Sequence, residues 1–133
     1  MKPEEGSSIV IFGCGSVGLS ALMAAKVANC TTIIAVDLQD IRLQLAKELG
    51  ATHTLNSKNS NVVEEIKAIT GGEGVNYSVE TTSIPAVLRQ AVDCLATLGK
   101  AAVIGAPPVG TGSLCKRHVP SFIFPEKFNS KNF

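Results

Sequence analysis

The chain has 133 residues, a length suited to one domain, and 45% of them are hydrophobic against 17% charged, which is enough apolar side chain to bury a core and too little charge for disorder. Twelve Lys and Arg stand against eleven Asp and Glu, a net charge of +1, so no long-range field draws the chain to nucleic acid or to an anionic membrane. Apolar runs such as 9–12 and 101–106 fall far short of the roughly 20 residues that a membrane helix needs.

The opening Met1-Lys2-Pro3-Glu4-Glu5-Gly6-Ser7-Ser8 is polar and acidic and has neither signal-peptide nor transit-peptide design, so the expected location is cytoplasmic. Ser8-Ile9-Val10-Ile11-Phe12 then runs uninterrupted to Gly13, the pattern of a central parallel strand covered on both faces. From Ser16 to Asn29 small and apolar residues lie almost all round: Val17, Ala21, Ala24, Ala25 and Ala28 on one stripe, Leu19, Leu22 and Met23 on another. That pattern predicts a well-buried helix. A second strand over Thr31–Val36 closes on Asp37, and Ile41, Leu45 and Leu49 recur every four residues in an amphipathic helix that stops at Gly50.

His53-Thr54-Leu55 reads as a short strand, and Val62, Val63, Ile66 and Ile69 mark a third helix ending before Gly71-Gly72. Val75–Glu80 is the fourth strand. Ser83 is an N-cap candidate and Pro85 suits a first turn, after which Leu88, Ala91, Val92 and Leu95 carry helical spacing. Lys100–Gly105 is the fifth strand, and Pro107, Pro108, Gly110 and Gly112 then end regular structure. The tail from Ser113 holds four of the six aromatic residues, is interrupted by Pro120 and Pro125, and supports only a short segment at Phe122–Phe124.

The alternation of short apolar runs with amphipathic stretches is an α/β pattern. It predicts a Rossmann-type doubly wound parallel sheet in residues 1–110 and a tail, 111–133, that gives no pattern for a sixth strand. Without that strand the fifth becomes an unpaired edge, a template for a homodimer.

Gly13-Cys14-Gly15-Ser16-Val17-Gly18 is a complete G-x-G-x-x-G between a strand and a helix. The first glycine suits the tight turn, the second close approach of backbone to a pyrophosphate, the third helix-on-strand packing. The helix N-terminus adds free N–H groups and partial positive charge. Asp37 lies 19 residues beyond Gly18, near the roughly 20 expected of an acid that hydrogen-bonds the adenosine ribose. Its carboxylate repels a 2′-phosphate and Leu38 follows it, so NAD is favoured over NADP. Arg42 has two open readings, a contact near the adenine ribose and a solvated helix charge. The strand ends Glu80-Thr81-Thr82 and Ile104-Gly105-Ala106 fall where the nicotinamide half of such a ligand would lie.

Other polar residues have plainer readings. His53 belongs to the surface and Tyr77, with no lysine four residues on, to the core. Glu80 is a buried structural acid or a cofactor-site group. Cys14, Cys30, Cys94 and Cys115 form no C-x-x-C pair and offer no metal cluster; they are read as reduced, mostly buried thiols. Cys14 is spacing within the glycine loop, with an oxidisable thiol as its lesser reading.

Taken together, Lys2-Pro3 with Gly6, the run Ser8–Leu19, Val36-Asp37, Ala46-Lys47-Glu48-Leu49-Gly50-Ala51-Thr52 and Val103-Ile104-Gly105-Ala106-Pro107-Pro108 resemble the coenzyme domain of zinc-dependent medium-chain alcohol dehydrogenases, above all the aryl (benzyl) alcohol dehydrogenase group. The resemblance runs from about Lys2 to Gly110. It implies that Gly13, Gly15, Ser16, Val17 and Gly18 contact the pyrophosphate and nicotinamide, and Asp37 and Arg42 the adenosine ribose. Thr81, Thr82, Ile104 and Ala106 match positions lining the nicotinamide ribose and carboxamide. Whole enzymes of the family oxidise alcohols with a catalytic zinc, whose Cys, His-Glu and Cys ligands belong to a catalytic domain that this sequence does not contain. The implied function is NAD(H) binding, with this chain alone inactive and zinc expected only in the missing domain. Two other classes stay in view. An S-adenosylmethionine-dependent methyltransferase core shares the glycine loop but usually carries an acid on strand one, which Ser8–Phe12 lacks. A non-catalytic NAD-sensing regulatory domain also accommodates the absence of a catalytic base.

Overall fold

A computed structural model describes residues 3–59 and 61–104, together with the backbone pairing of Phe122–Ile123. The elements in chain order are β1 (Ser8–Phe12), α1 (Ser16–Val27), β2 (Thr32–Asp37), α2 (Asp40–Glu48), β3 (His53–Asn56), α3 (Val62–Ile69), β4 (Val75–Glu80), α4 (Pro85–Asp93), β5 (Leu95–Val103) and β6 (Phe122–Ile123). All neighbouring strands pair in parallel, in the order β3-β2-β1-β4-β5-β6. This is the doubly wound α/β sheet that the sequence predicts, with the chain reversing its direction of travel across the sheet at β1.

Because successive strand residues point to opposite faces, β1 feeds two cores. Ile9 and Ile11 join Leu22 and Ala25 of α1 and Leu43 and Ala46 of α2. Val10 and Phe12 join Val62 and Ile66 of α3 and Ala91 of α4. The uninterrupted apolar run of β1 is thus the mark of two-sided burial, as the sequence implies.

Several expectations need correction. α1 is buried on one side alone: Gly18, Leu22 and Ala25 face the sheet, while Met23 and Val27 face outward, Val27 with 82% of its surface exposed. Apolarity all round does not choose a face; the fit of Gly18 against the glycine loop does. In α2 the buried residues are Leu43 and Ala46, not the stripe from Ile41, which is 77% exposed, because the small Ala46 lets the helix lie close on the sheet. Ser83 does not cap α4. Its φ is +62°, Ile84 holds the N-cap position, and Pro85 opens the helix.

α4 ends at Asp93 rather than running through Leu95, and β5 begins at that leucine. Leu95 pairs with Val75, after which the register jumps so that Lys100 pairs with Tyr77. The apolar period of the helix therefore continues into a residue that the β-ladder claims.

The missing sixth strand is the last correction. Phe122–Ile123 pairs in parallel with Ala101 and Ala102, so β5 is not an unpaired edge over those residues. Phe124, the end of the expected segment, lies outside the described residues. Among the described residues no helix is long and apolar enough to cross a membrane.

Candidate functional site

The turns after β1, β2 and β4 meet at the C-terminal end of the sheet. Gly13 adopts φ +95°, and a Cβ there would stand 2.4 Å from Thr81 Oγ1 and 2.9 Å from Thr82 Cγ2; its N–H donates to the Val36 carbonyl at 2.8 Å. Gly18 is constrained by closeness: its Cβ would fall 1.7 Å from the Gly13 carbonyl oxygen. Gly15 differs from both, since nothing lies within 4 Å of the place its Cβ would take. Among the described residues no neighbour demands glycine there, which leaves an open cradle at the mouth of α1.

α1 has no side-chain cap and no acid in its first turn. Its first intrahelical turn closes with Leu19 N–H donating to the Gly15 carbonyl at 2.9 Å. The amides of Ser16, Val17 and Gly18 precede any residue that could accept from them within the helix, and they carry the positive end of its dipole. An open cradle above uncapped amides fits the pyrophosphate of a dinucleotide.

Asp37 ends β2, and its side chain is only 7% exposed. Oδ2 accepts the Cys14 N–H at 2.7 Å and Oδ1 accepts the Gln39 N–H at 2.9 Å. One loop amide is therefore taken by the chain's own carboxylate, which ties the second strand to the glycine loop. Each oxygen keeps a further lone pair, so the acid can still accept from a ribose diol. The Arg42 guanidinium stands 3.9 Å from Oδ2 with its side chain about half exposed. That geometry contributes little to stability and places a movable cation beside the acid. Sequence reasoning did not single out the exposure of Leu38 and Ile84, in the turns after β2 and β4, or of Ile41 in the first turn of α2. A large aliphatic residue directly after a strand-end acid was the available signal.

The β4 end is built on Thr81 and Glu80. Thr81 donates to the Phe12 carbonyl through both N–H, 3.1 Å, and Oγ1, 2.8 Å, and its hydroxyl also lies 3.3 Å from the Gly13 carbonyl. Glu80 is fully buried. Its carboxylate accepts from the Thr82 N–H at 2.6 Å, the Thr82 hydroxyl and the Ser83 N–H at 3.3 Å. Of the two readings of Glu80, the structural acid is the one realised: it shapes the turn that carries Thr82. Ile104 is half-buried against the first core, its N–H donating to the Glu80 carbonyl at 2.9 Å. Ala106 lies outside the described residues.

Cys14 does not present the exposed, readily ionised thiol that its lesser reading calls for. Its Sγ lies in the core, 3.8 Å from the Val36 carbonyl, and burial, with the nearby Asp37 charge, pushes its pKa up from 9.0 to about 12. Cys30 and Cys94 are also free and buried, while Cys115 lies outside the described residues. His53 is exposed beside the Thr52 hydroxyl, 2.9 Å from Nδ1, and Tyr77 packs in the core, as their residue types suggest. Among the described residues no three His, Cys, Asp or Glu side chains converge on a metal position, so they do not provide a zinc site.

Comparison with known proteins agrees with this geometry. The family described as zinc-binding dehydrogenase matches residues 16–127. Benzyl alcohol dehydrogenase from Acinetobacter calcoaceticus superposes with a TM-score of 0.78 at 55% identity, over 81% of this chain and 30% of that one. Sorbitol dehydrogenase from Bacillus subtilis is 44% identical over 106 residues, 80% of this chain and 30% of the relative. A zinc-binding dehydrogenase from Sinorhizobium meliloti, solved bound to NADP, is 29% identical with a TM-score of 0.76, over 80% of this chain and 32% of that one. The chain thus spans about 30% of the length of the first two. A methyltransferase core is set aside.

Proposed function

The chain belongs to the zinc-binding dehydrogenase family, and from that premise we propose that it binds NAD(H) in preference to NADP(H) as the coenzyme-binding part of an alcohol dehydrogenase-like oxidoreductase. The observation that carries this reading is the Asp37 carboxylate, held by the Cys14 and Gln39 amides at the end of β2. A ribose 2′-hydroxyl donates to such an acceptor, whereas a 2′-phosphate brings a second anion against it. Gly13 and Gly18 shape the loop, Gly15 leaves room for the pyrophosphate, and Ser16, Val17 and Gly18 supply amides. Arg42 lies near the adenosine ribose, while Thr81, Thr82 and Ile104 border the nicotinamide half, the role that the family resemblance also gives Ala106.

When bound, the coenzyme supplies a ring that accepts or delivers a hydride. The chain's own residues bind and orient it. Among the described residues no three His, Cys, Asp or Glu side chains converge to act on an alcohol through a metal, and we expect no turnover from this chain alone. Alcohol oxidation, the reaction of whole family members, requires the zinc-bearing part. A cytoplasmic setting accords with three buried free thiols.

The reading is tested by calorimetric titration of the purified chain with NAD, NADH, NADP and S-adenosylmethionine. NAD or NADH should bind and NADP more weakly, S-adenosylmethionine not at all. Asp37→Gly should narrow the preference for NAD over NADP; a variant that discriminates as well as the parent removes the ribose contact from Asp37.

A further inference from the structure

Asn56 is the last residue of β3 and pairs in register with Asp37 on the neighbouring strand. Its Nδ2 donates to the Asp40 carboxylate at 2.7 Å and to the Leu38 carbonyl at 3.3 Å, and its Oδ1 accepts the Lys58 N–H at 2.9 Å. The Ser57 N–H adds a bond to the Asp37 carbonyl at 3.2 Å. All three residues after Asp37 are therefore held. Asn56 grips Leu38 and Asp40, and the Asp37 carboxylate itself accepts from Gln39 between them. The acid and the turn that aims it form one hydrogen-bonded unit whose outer support comes from the next strand.

The same turn carries two carboxylates three residues apart, Asp37 and Asp40, with Arg42 close behind. Like charges on one tight turn repel. An amide donor on Asp40 removes its need to compete with Asp37 for the Gln39 and Cys14 amides or for Arg42. A carboxylate outside the coenzyme contact is thereby kept in place by a neutral side chain.

We infer that Asn56 is a positioning residue for the adenosine ribose, and that it sets how strongly the site prefers a free 2′-hydroxyl over a 2′-phosphate. The inference rests on the reading of Asp37 as the ribose acceptor. A hydroxyl–carboxylate bond depends steeply on distance and angle, so a loosened turn forfeits it. A 2′-phosphate makes no such bond and feels the carboxylate through a longer-range repulsion that tolerates small displacements. Loosening the turn therefore weakens NAD more than NADP, and the preference narrows. General loosening of the domain would weaken both alike.

The experiment is calorimetric titration of the full chain and its Asn56→Ala variant with NAD and with NADP, alongside thermal melts. NAD affinity should fall about fivefold, the usual effect of one net hydrogen bond. NADP affinity should change by less than about twofold, since its binding does not use the aligned contact. Equal weakening of both ligands, or a parental ratio, overturns the inference. Should the alanine variant not fold, Asn56→Ser serves: its hydroxyl still accepts from Lys58 and is too short to reach Asp40. A parent chain that binds neither dinucleotide overturns the reading of Asp37 and the inference together. A parent that prefers NAD, with a serine variant of identical preference, overturns the inference alone.

Discussion

Gly15 and Gly18 stand three residues apart in one loop and answer to opposite demands. At Gly18 a methyl group would overlap the Gly13 carbonyl oxygen, at 1.7 Å, and the contact is backbone on backbone, so the helix must move off the strand. Gly18→Ala should destabilise the chain by more than about 2 kcal/mol, the scale of overpacking a tight contact, as read from urea denaturation. At Gly15 the backbone is extended, φ −76° and ψ −167°, and the methyl would point into open space. Gly15→Ala should therefore leave stability unchanged or raise it by up to about 1 kcal/mol through a less flexible unfolded chain, while weakening NAD by more than about tenfold, or 1.4 kcal/mol. A Gly15→Ala variant that binds as the parent does would show that no ligand approaches the loop there. The pair thus separates what the fold needs from what the coenzyme needs.

At the scale of elements, the register jump inside β5, between Leu95 and Lys100, carries the most obvious local cost. Leu98 has φ +64° and is 83% exposed, so a bulky side chain occupies a left-handed position and gains almost no burial. Left-handed backbone costs an L-residue roughly 1–2 kcal/mol, against which glycine's added freedom in the unfolded chain offsets about 0.5–1. Leu98→Gly should stabilise the chain by up to about 1 kcal/mol in urea denaturation, and Leu98→Asp, which keeps a Cβ, by less. Loss of stability in the glycine variant would mean that Leu98 packs against something the exposed surface does not reveal.

The junction of α4 and β5 marks a limit of what the sequence makes legible. β1 and β2 could be read because burial on both faces leaves continuous apolar runs, and β4, with Asn76, Ser78 and Glu80 among its residues, from its β-rich composition alone. The boundary at Leu95 could not, because that residue satisfies the helical period and the ladder equally, and pairing with Val75 decides between them. The buried faces of α1 and α2 were illegible for a related reason: both helices carry apolar residues on more than one side, and close approach at Gly18 and Ala46 selects the face. In the site, the glycine loop and Asp37 were readable from spacing since each is a local constraint. Glu80 as a loop support and Asn56 as a turn support were not, since their roles exist only once neighbouring turns and strands are placed beside them.

For the molecule as a whole, the two cores share one sheet, and β1 and β4 contribute side chains to both. Neither face can lose its helices without exposing strands that the other face needs, so the two should unfold together. Cysteines report on each separately: Cys14 lies in the core under α1 and α2, Cys94 in the core under α3 and α4. Burial pushes both thiols up from 9.0 to about 12, so neither forms appreciable thiolate in the folded chain at neutral pH and both become reactive on unfolding. Pulse alkylation along a urea series, read residue by residue by mass spectrometry, should give Cys14 and Cys94 the same midpoint, coincident with loss of helical circular dichroism. Distinct midpoints would split the sheet into two folding units. The same shift fixes a sign for pH. Below about 9 both states keep these protons; between 9.0 and about 12 the unfolded chain releases them first, so the two thiols' contribution to stability is lost as pH rises through that window. The common midpoint should accordingly move to lower urea at pH 10 than at pH 8, and move together for both cysteines, because a proton lost from either core is charged to the single transition they share.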